Sequence, residues 1–312
     1  NFNGVWSLTT QAQYASDWSA DNVSPATAAA NGIAIISNAS GLQTVSVATA
    51  GNSTDFGDFT TQRGKGGGFG STTRGIVGGG NVGPSNILDF ITFTTAGDAT
   101  DFGDLTVARE EVTAHSSSTR GLVAGGDTGS KSDVVDYVTI ASAGNAIDFG
   151  NLAAANTSPL GAGSSVRMLV GGGIEGSRTN RIQYFTISST GNSTDFGDLS
   201  ATRQQGDALS NATRTVFTGG YESSSSNKIE FVTTDTTGNV TDFGDLSEGS
   251  RRLASTSNAT RGIMAGGDGT NLRSKIEVIT IASAGNSASF GNLLANTDSC
   301  NSGFSSAHGG LQ

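Results

Sequence analysis

The 312-residue sequence predicts an all-β chain of six blades, each of four antiparallel strands, closed into a propeller. Three observations predict it. One motif recurs six times at a near-constant step, the composition favours short strands and tight turns, and each chain end supplies the part of a blade that the other lacks.

The motif is Asp-Phe-Gly-Asp, at Asp55–Asp58, Asp101–Asp104, Asp195–Asp198 and Asp242–Asp245, with variants at Asp148–Asn151 and Ser289–Asn292. A second marker keeps the same step: Arg74, Arg120, Arg167, Arg214 and Arg261 each precede a short apolar run and Gly-Gly. His308 lies one period beyond Arg261, and Asn31 is expected to fill the arginine's place near the N-terminus. Each repeat reads as strands A to D. Strand A is the Ser/Thr-rich stretch before the arginine, as in Glu111–Ser118, and strand B runs into Gly-Gly. Strand C starts at Leu42, Leu88, Val135, Ile182, Ile229 or Ile276, and strand D holds the Phe-Gly motif. Strand C alternates with period two, Leu88, Phe90 and Thr92 against Asp89, Ile91 and Phe93. Both faces are apolar, as expected of a sheet packed between two others. A Gly-Asn or Gly-Asp pair between C and D, such as Gly97-Asp98 or Gly144-Asn145, is expected to form a two-residue hairpin turn.

Composition agrees. Glycine is 46 of 312 residues, proline only 3, and apolar residues 35%, a profile of turns and short strands rather than helices. The N-terminal part offers strands B, C and D but no A, while the C-terminal part offers an A. The expected blades are therefore about 59–104, 105–151, 152–198, 199–245 and 246–294, with a sixth made of 31–58 plus 295–312. This closure protects against edge-to-edge aggregation. Residues 1–30 stand outside the repeat as an attachment or capping segment carrying Trp6, Tyr14 and Trp18.

Several functions are disfavoured by composition. A net charge of −10 repels phosphate backbones, so nucleic acid is not an expected partner. The single Cys300 excludes an internal disulfide, and no CxxC metal pattern occurs. No apolar run reaches membrane-spanning length, and the first residues lack a signal peptide's basic and apolar regions. Six periodic Asp-Phe-Gly copies without a glycine-rich ATP loop reject the kinase motif. Gly64–Gly70 falls on a strand A rather than opening a helix, which argues for close packing over a phosphate cradle. His115, beside Ser116–Ser118, has no nucleophile elbow and is expected to be hydrogen-bonded only. Calcium at Gly125-Gly126-Asp127 or Gly266-Gly267-Asp268 has no EF-hand or nonapeptide pattern behind it. Sequons such as Asn52-Ser53-Thr54 follow the turn spacing. No enzyme activity, cofactor or metal is expected. Comparing the copies, Asp58 is followed by Arg63, Asp104 by Arg109, Asp198 by Arg203 and Asp245 by Arg251. Where the acid is Asn151 or Asn292, the later residue is Asn156 or Thr297. Charges that come and go together predict an Asp–Arg pair at four D-to-A turns, worth about 0–1 kcal/mol each if exposed.

The loops after Gly-Gly differ most between copies. Asn81, Lys131, Glu175, Arg178, Tyr221, Glu222, Asn271 and Arg273 are the candidate binding residues on that face.

The period, the Gly-Gly after strand B and the aromatic of strand D resemble the kelch repeat family. Kelch blades carry Trp in strand D with a Tyr ahead of it; here strand D has Phe, and the Tyr place holds Phe90, Tyr137, Tyr184, Phe231, Val278 or Thr44. The stretch Phe2–Leu8 with Gln11 and Tyr14 resembles tail-fibre-like virion proteins of bacteriophages. The blade segments Thr73–Gly80 and Ile91–Arg109 are similar to repeats in structural proteins of marine phages, notably those of cyanobacteria. The resemblance implies a virion component of the tail, fibre or capsid exterior. Its first segment would contact other virion proteins and its ring a host cell-surface glycan or protein. The alternatives are an architectural or decorating protein without a ligand, and a glycan-degrading enzyme, which needs two carboxyls about 5–10 Å apart.

Overall fold

A computed structural model describes residues 32–39, 41–81, 83–269, 271, 273–295 and 300–311. Trp6, Tyr14, Trp18 and Thr297 lie outside the described residues.

Six four-stranded antiparallel sheets follow one another, each in the order A-B-C-D. Blade 1 comprises Gly67–Gly70, Arg74–Gly78, Ser85–Thr92 and Thr100–Arg109. Blades 2 to 5 start at Thr113, Leu160, Asp207 and Ala254 and end at Asn156, Asp198, Asp245 and Asn292. Blade 6 takes strand A, Cys300–Ser305, from the C-terminal part and Ile33–Asn38, Gly41–Ser46 and Thr54–Gly57 from the N-terminal part. The pairing Ile35↔Phe304 closes the ring as the sequence predicts. Strand register corrects one detail. Ile33 lies opposite Ser46 as Arg74 lies opposite Thr92, so Ile33, not Asn31, holds the arginine's place in blade 6.

An apolar cluster fills each of the six junctions. Between blades 1 and 2, for example, Phe69, Ile76, Leu88 and Phe102 meet Val123, Val138 and Ile140. Fully burying such side chains stabilises by about 1.5–3 kcal/mol each. The inner strands are keyed large to small. A Cβ on Gly121 would lie 1.9 Å from Phe69 Cε2, one on Gly75 2.4 Å from Phe304 Cε2, and one on Gly262 2.5 Å from Leu209 Cδ1. In Gly64–Gly70 the missing side chains serve packing too, since a Cβ on Gly68 would lie 2.3 Å from Phe304 Cδ1.

The two most regular motifs meet across every junction. The Gly-Asn pair is not a two-residue hairpin turn, which is a correction to the sequence expectation. In blade 1 the C–D connection spans residues 93–99, and its end docks on the preceding blade. Gly144 N–H donates to Phe102 O (2.7 Å), Asn145 Oδ1 accepts from Asp104 N–H (3.1 Å), and Ala146 N–H donates to Asp104 O (2.7 Å). The same clasp joins blade 5 to blade 6 through Gly51 and Phe290 (3.0 Å). It explains the glycine of Phe-Gly: a Cβ on Gly103, at φ +142°, would lie 2.5 Å from Gly144 O. The marker arginines form a second clasp. Arg120 stacks over Tyr137 at 4.5 Å and donates to Ile187 O of blade 3 at 3.0 Å.

The predicted Asp–Arg turn pairs are replaced by a different pairing. Arg63 binds Asp89, Arg109 binds Asp136 and Arg203 lies beside Glu230, each at 2.7 Å with the arginine fully buried. Arg203 and Glu230 lack an in-line hydrogen bond, so that contact is an ion pair only. Asp58 and Asp198 are exposed and Asp104 and Asp245 half-buried, on or just after strands D, whereas the arginine side chains reach under the next blade to its strand C. Arg251 pairs with Asp268. The correct covariation is with strand C: where the arginine becomes Asn156, the acid becomes Gln183. Burial pulls Arg109 and Arg203 below the ordinary guanidinium pKa, and their carboxylates oppose it.

Candidate functional site

The strands A enclose an axial channel of about 910 Å³, counting the space open to solvent at its mouth. Because B–C and D–A connections share one face, the D–A end of each strand A opens towards the variable loops. The opposite end is closed. After Ser305 the chain turns inward, and the 3₁₀ turn Gly309–Leu311 packs against strands A of blades 2, 3 and 4. It fits there without side chains: a Cβ on Gly309 would lie 2.4 Å from Ser210 Oγ, and one on Gly310 would overlap Ser116 O. Serine hydroxyls tie this end together, Ser116 donating to Gly70 O at 2.7 Å and Ser210 to Gly163 O at 2.6 Å.

The open mouth is unusual. Lys65, Glu111, Ser158, Gln205 and Arg252 occupy equivalent places at the start of strand A, and all have φ between 54° and 59°. These five are the only non-glycine residues with positive φ among the described residues. A left-handed conformation costs an L-residue about 1–2 kcal/mol. A chain of backbone bonds supports it: Glu111 N–H to Lys65 O (2.8 Å), Ser158 to Glu111 (3.0 Å), Gln205 to Ser158 (3.1 Å) and Arg252 to Gln205 (2.6 Å). The backbone is the same at all five places while the side chains are all different.

One side of the mouth is neutralised. Lys65 lies 2.9 Å from Glu111 and 3.2 Å from Glu110, and Glu111 also accepts from Ser158 Oγ and from Thr157 Oγ1 (3.1 Å). Burial alone would raise the Glu111 pKa, but the bonds from Ser158 and Lys65 hold it below the ordinary range. The other side is less paired. Arg252 makes no side-chain hydrogen bond or ion pair among the described residues. Gln205 Oε1 and, farther in, the buried Thr256 Oγ1 have no hydrogen-bond partner among the described residues.

Asp207 lines the channel below Gln205. Its Oδ2 accepts from Ser255 N–H at 2.6 Å and its Oδ1 from Ala208 N–H at 2.8 Å, and no basic side chain pairs with it among the described residues. Burial pushes its pKa up to about 8 despite those bonds, so the acid is protonated at pH 7. At the closed end His308 accepts from Gly310 N–H on Nδ1 (3.1 Å) and bonds Gly70 O through Nε2 (3.0 Å), which places its proton on Nε2. His115 donates from Nε2 to Ser164 O (3.0 Å), and the two rings lie 5.4 Å apart. Burial lowers His308 to about 4; burial and His308 together lower His115 to about 3.

These shifts set opposite slopes. Both histidines are neutral when folded and protonate in the unfolded chain below about pH 6.5, so stability falls as pH drops from there towards 4. Asp207 keeps a proton in the fold that the unfolded chain releases near pH 4, so its contribution declines as pH rises from 4 to about 8. Asp207→Asn is expected to flatten the alkaline limb, leaving the protein more stable than wild type at pH 9 and little changed at pH 5. Thermal unfolding across that pH range checks it.

The eight loop candidates are not one cluster. Tyr221 lies under two guanidiniums, Arg178 at 5.4 Å and Arg251 at 4.8 Å, which joins the loops of blades 3, 4 and 5. Glu222 pairs with Lys228, Glu175 with Arg181, and Arg273 reaches Asp268 at 3.8 Å. Asn81 accepts from Gly64 N–H at 2.6 Å, and Asn271 bonds Glu248, so both brace their loops. Lys131 is exposed. The mouth residues themselves were not singled out from the sequence. Glu111, Ser158 and Arg252 are ordinary polar residues with no glycine beside them to mark the left-handed turn; Lys65 lies within the glycine-rich stretch and Gln205 precedes Gly206. Among the described residues no group of three His, Cys, Asp or Glu side chains could hold a metal, and no helix is long and apolar enough to cross a membrane.

Neither a protein-family model nor a curated protein matches the chain.

Proposed function

We propose that the chain is a bacteriophage virion structural protein, of the tail, fibre or capsid exterior, whose propeller adheres to a host-surface glycan at the open end of its channel. One observation carries the reading. Five equivalent, equally strained positions present Lys65, Glu111, Ser158, Gln205 and Arg252 around a blind polar channel. Strain held at a rim of varied polar groups suits a scaffold that positions ligand contacts. The resemblance of the blades to phage structural proteins supplies the setting, with residues 1–30 joining the ring to other virion proteins. Arg252 and Gln205 are the first ligand contacts, and Tyr221 with its two arginines extends the surface outward.

The test is binding of the labelled full chain to intact bacteria of candidate host strains, with heat-unfolded protein as control. Saturable, strain-dependent binding is expected, weakened about tenfold or more by Arg252→Ala through loss of a charged hydrogen bond. Absence of binding by the folded chain to every strain would move the assignment to an architectural role. One feature favours the glycan-degrading alternative: Asp207 lines the channel, and burial pushes its pKa up to about 8, the direction a general acid needs. Release of sugar in the same assay, abolished by Asp207→Asn, would establish it.

A further inference from the structure

The junction between blades 4 and 5 departs from the others. The links entering blades 1, 2 and 4 each deliver a guanidinium to the carboxylate of the next strand C. At this junction the equivalent of Arg63, Arg109 and Arg203 is Ser250, yet the carboxylate is kept as Glu277. Arg251, one residue later, turns away to Asp268, with Nε at 2.9 Å and Nη2 at 2.7 Å.

Glu277 is 5% exposed. Its Oε1 accepts from Ser247 N–H at 3.3 Å, while Oε2 is buried with no hydrogen-bond partner among the described residues. A cavity opens beside it, lined by the apolar Leu246, Leu253 and Met264 together with Ser250, Gly266, Lys275 and Glu277, with room for about one water-sized occupant. In blade 1 the equivalents of Met264, Gly266 and Lys275 are Val77, Gly79 and Ile87, and the carbonyls of all three accept from Arg63. Ser250 Oγ reaches Gly266 O at 3.5 Å, the acceptor that its arginine counterparts use. The carbonyls that receive a guanidinium in blade 1 are therefore retained here, among apolar side chains, around a serine that supplies no charge.

We propose that the blade 4–blade 5 junction binds one small monovalent cation, Na⁺, K⁺ or ammonium, between Glu277 Oε2, Ser250 Oγ and these backbone carbonyls. A single positive charge restores the neutrality that arginine provides at the sister junctions, and oxygen donors suit a hard cation.

The test is thermal unfolding of the full chain at constant ionic strength in sodium, potassium, ammonium or tetramethylammonium chloride. Tetramethylammonium is too large for the cavity. A Tm higher by a few degrees in at least one small-cation salt is expected, rising with its concentration. Ser250→Arg should raise Tm in tetramethylammonium and abolish the cation dependence; Glu277→Gln should abolish it too. Should Glu277→Gln fail to fold, broadening of the ²³Na resonance by wild type and not by Ser250→Arg gives a second readout. Equal wild-type Tm in all four salts would overturn the site. So would a cation dependence that survives in Ser250→Arg.

Discussion

Arg109→Met is expected to lower the unfolding free energy by about 3–5 kcal/mol, because it strands Asp136 in a fully buried place. Arg109 Nη2 lies 2.7 Å from Asp136, and Nη1 also holds the carbonyls of Gly125 and Val134. Asp136 in turn accepts from the Thr106 hydroxyl at 2.6 Å and its N–H at 3.1 Å. The cost should come from the uncompensated charge rather than lost volume. The next junction provides the control, since it performs the same task without charge. Asn156 donates to Gly172 O at 2.8 Å, and Gln183 accepts from Ala153 N–H at 2.9 Å. The double variant Arg109→Asn/Asp136→Gln should therefore recover most of the loss. Denaturant unfolding of the two single variants and the pair measures it; a double variant no better than the worse single would refute the charge argument.

Gly121→Val should destabilise by about 1–3 kcal/mol or more through overpacking. Its new Cβ meets the Phe69 ring at 1.9 Å and 2.2 Å. Phe69→Ala alone leaves a cavity and should cost about 3–5 kcal/mol. Together the two changes imitate the blade 3–blade 4 junction, where Ala162 and Thr215 hold the equivalent places. The pair should be more stable than Phe69→Ala alone, a coupling that a double-mutant cycle reads directly. Additive losses would mean that the large-to-small keying does not set the fit between blades.

Blade number, strand order and ring closure were legible because the repeat writes local strand patterns six times over. What was not legible lies between blades. The Phe-Gly and Gly-Asn motifs look like features of one hairpin, yet the Phe-Gly glycine answers to the Gly-Asn pair of the next blade, Gly103 to Gly144 for instance and Gly291 to Gly51 across the ring closure. The arginines vary together with two other columns, the aspartates of the Phe-Gly motif and the acids of strand C. Proximity in sequence favoured the first, while burial under the next blade selects the second. Arg251 shows the limit of the rule, since it sits one residue beyond its counterparts' place. At the candidate site, the channel mouth escaped detection because left-handed backbone there is imposed by bonds from neighbouring blades. The plug was hidden because Gly309 and Gly310 matter through the side chains they lack.

The shared sixth blade also bears on how the chain is made. Ile33 N–H bonds Ser306 Oγ across 273 residues, so strand A of that blade arrives only after the other five blades have been translated. Until then the growing chain holds an open arc whose two end sheets present apolar faces to solvent, with Ile35, Val77 and Phe93 uncovered by Phe304. Contacts so distant in sequence form slowly. Newly made protein should thus depend on swift release from the ribosome, or on a chaperone, to avoid joining the arc of one molecule to that of another.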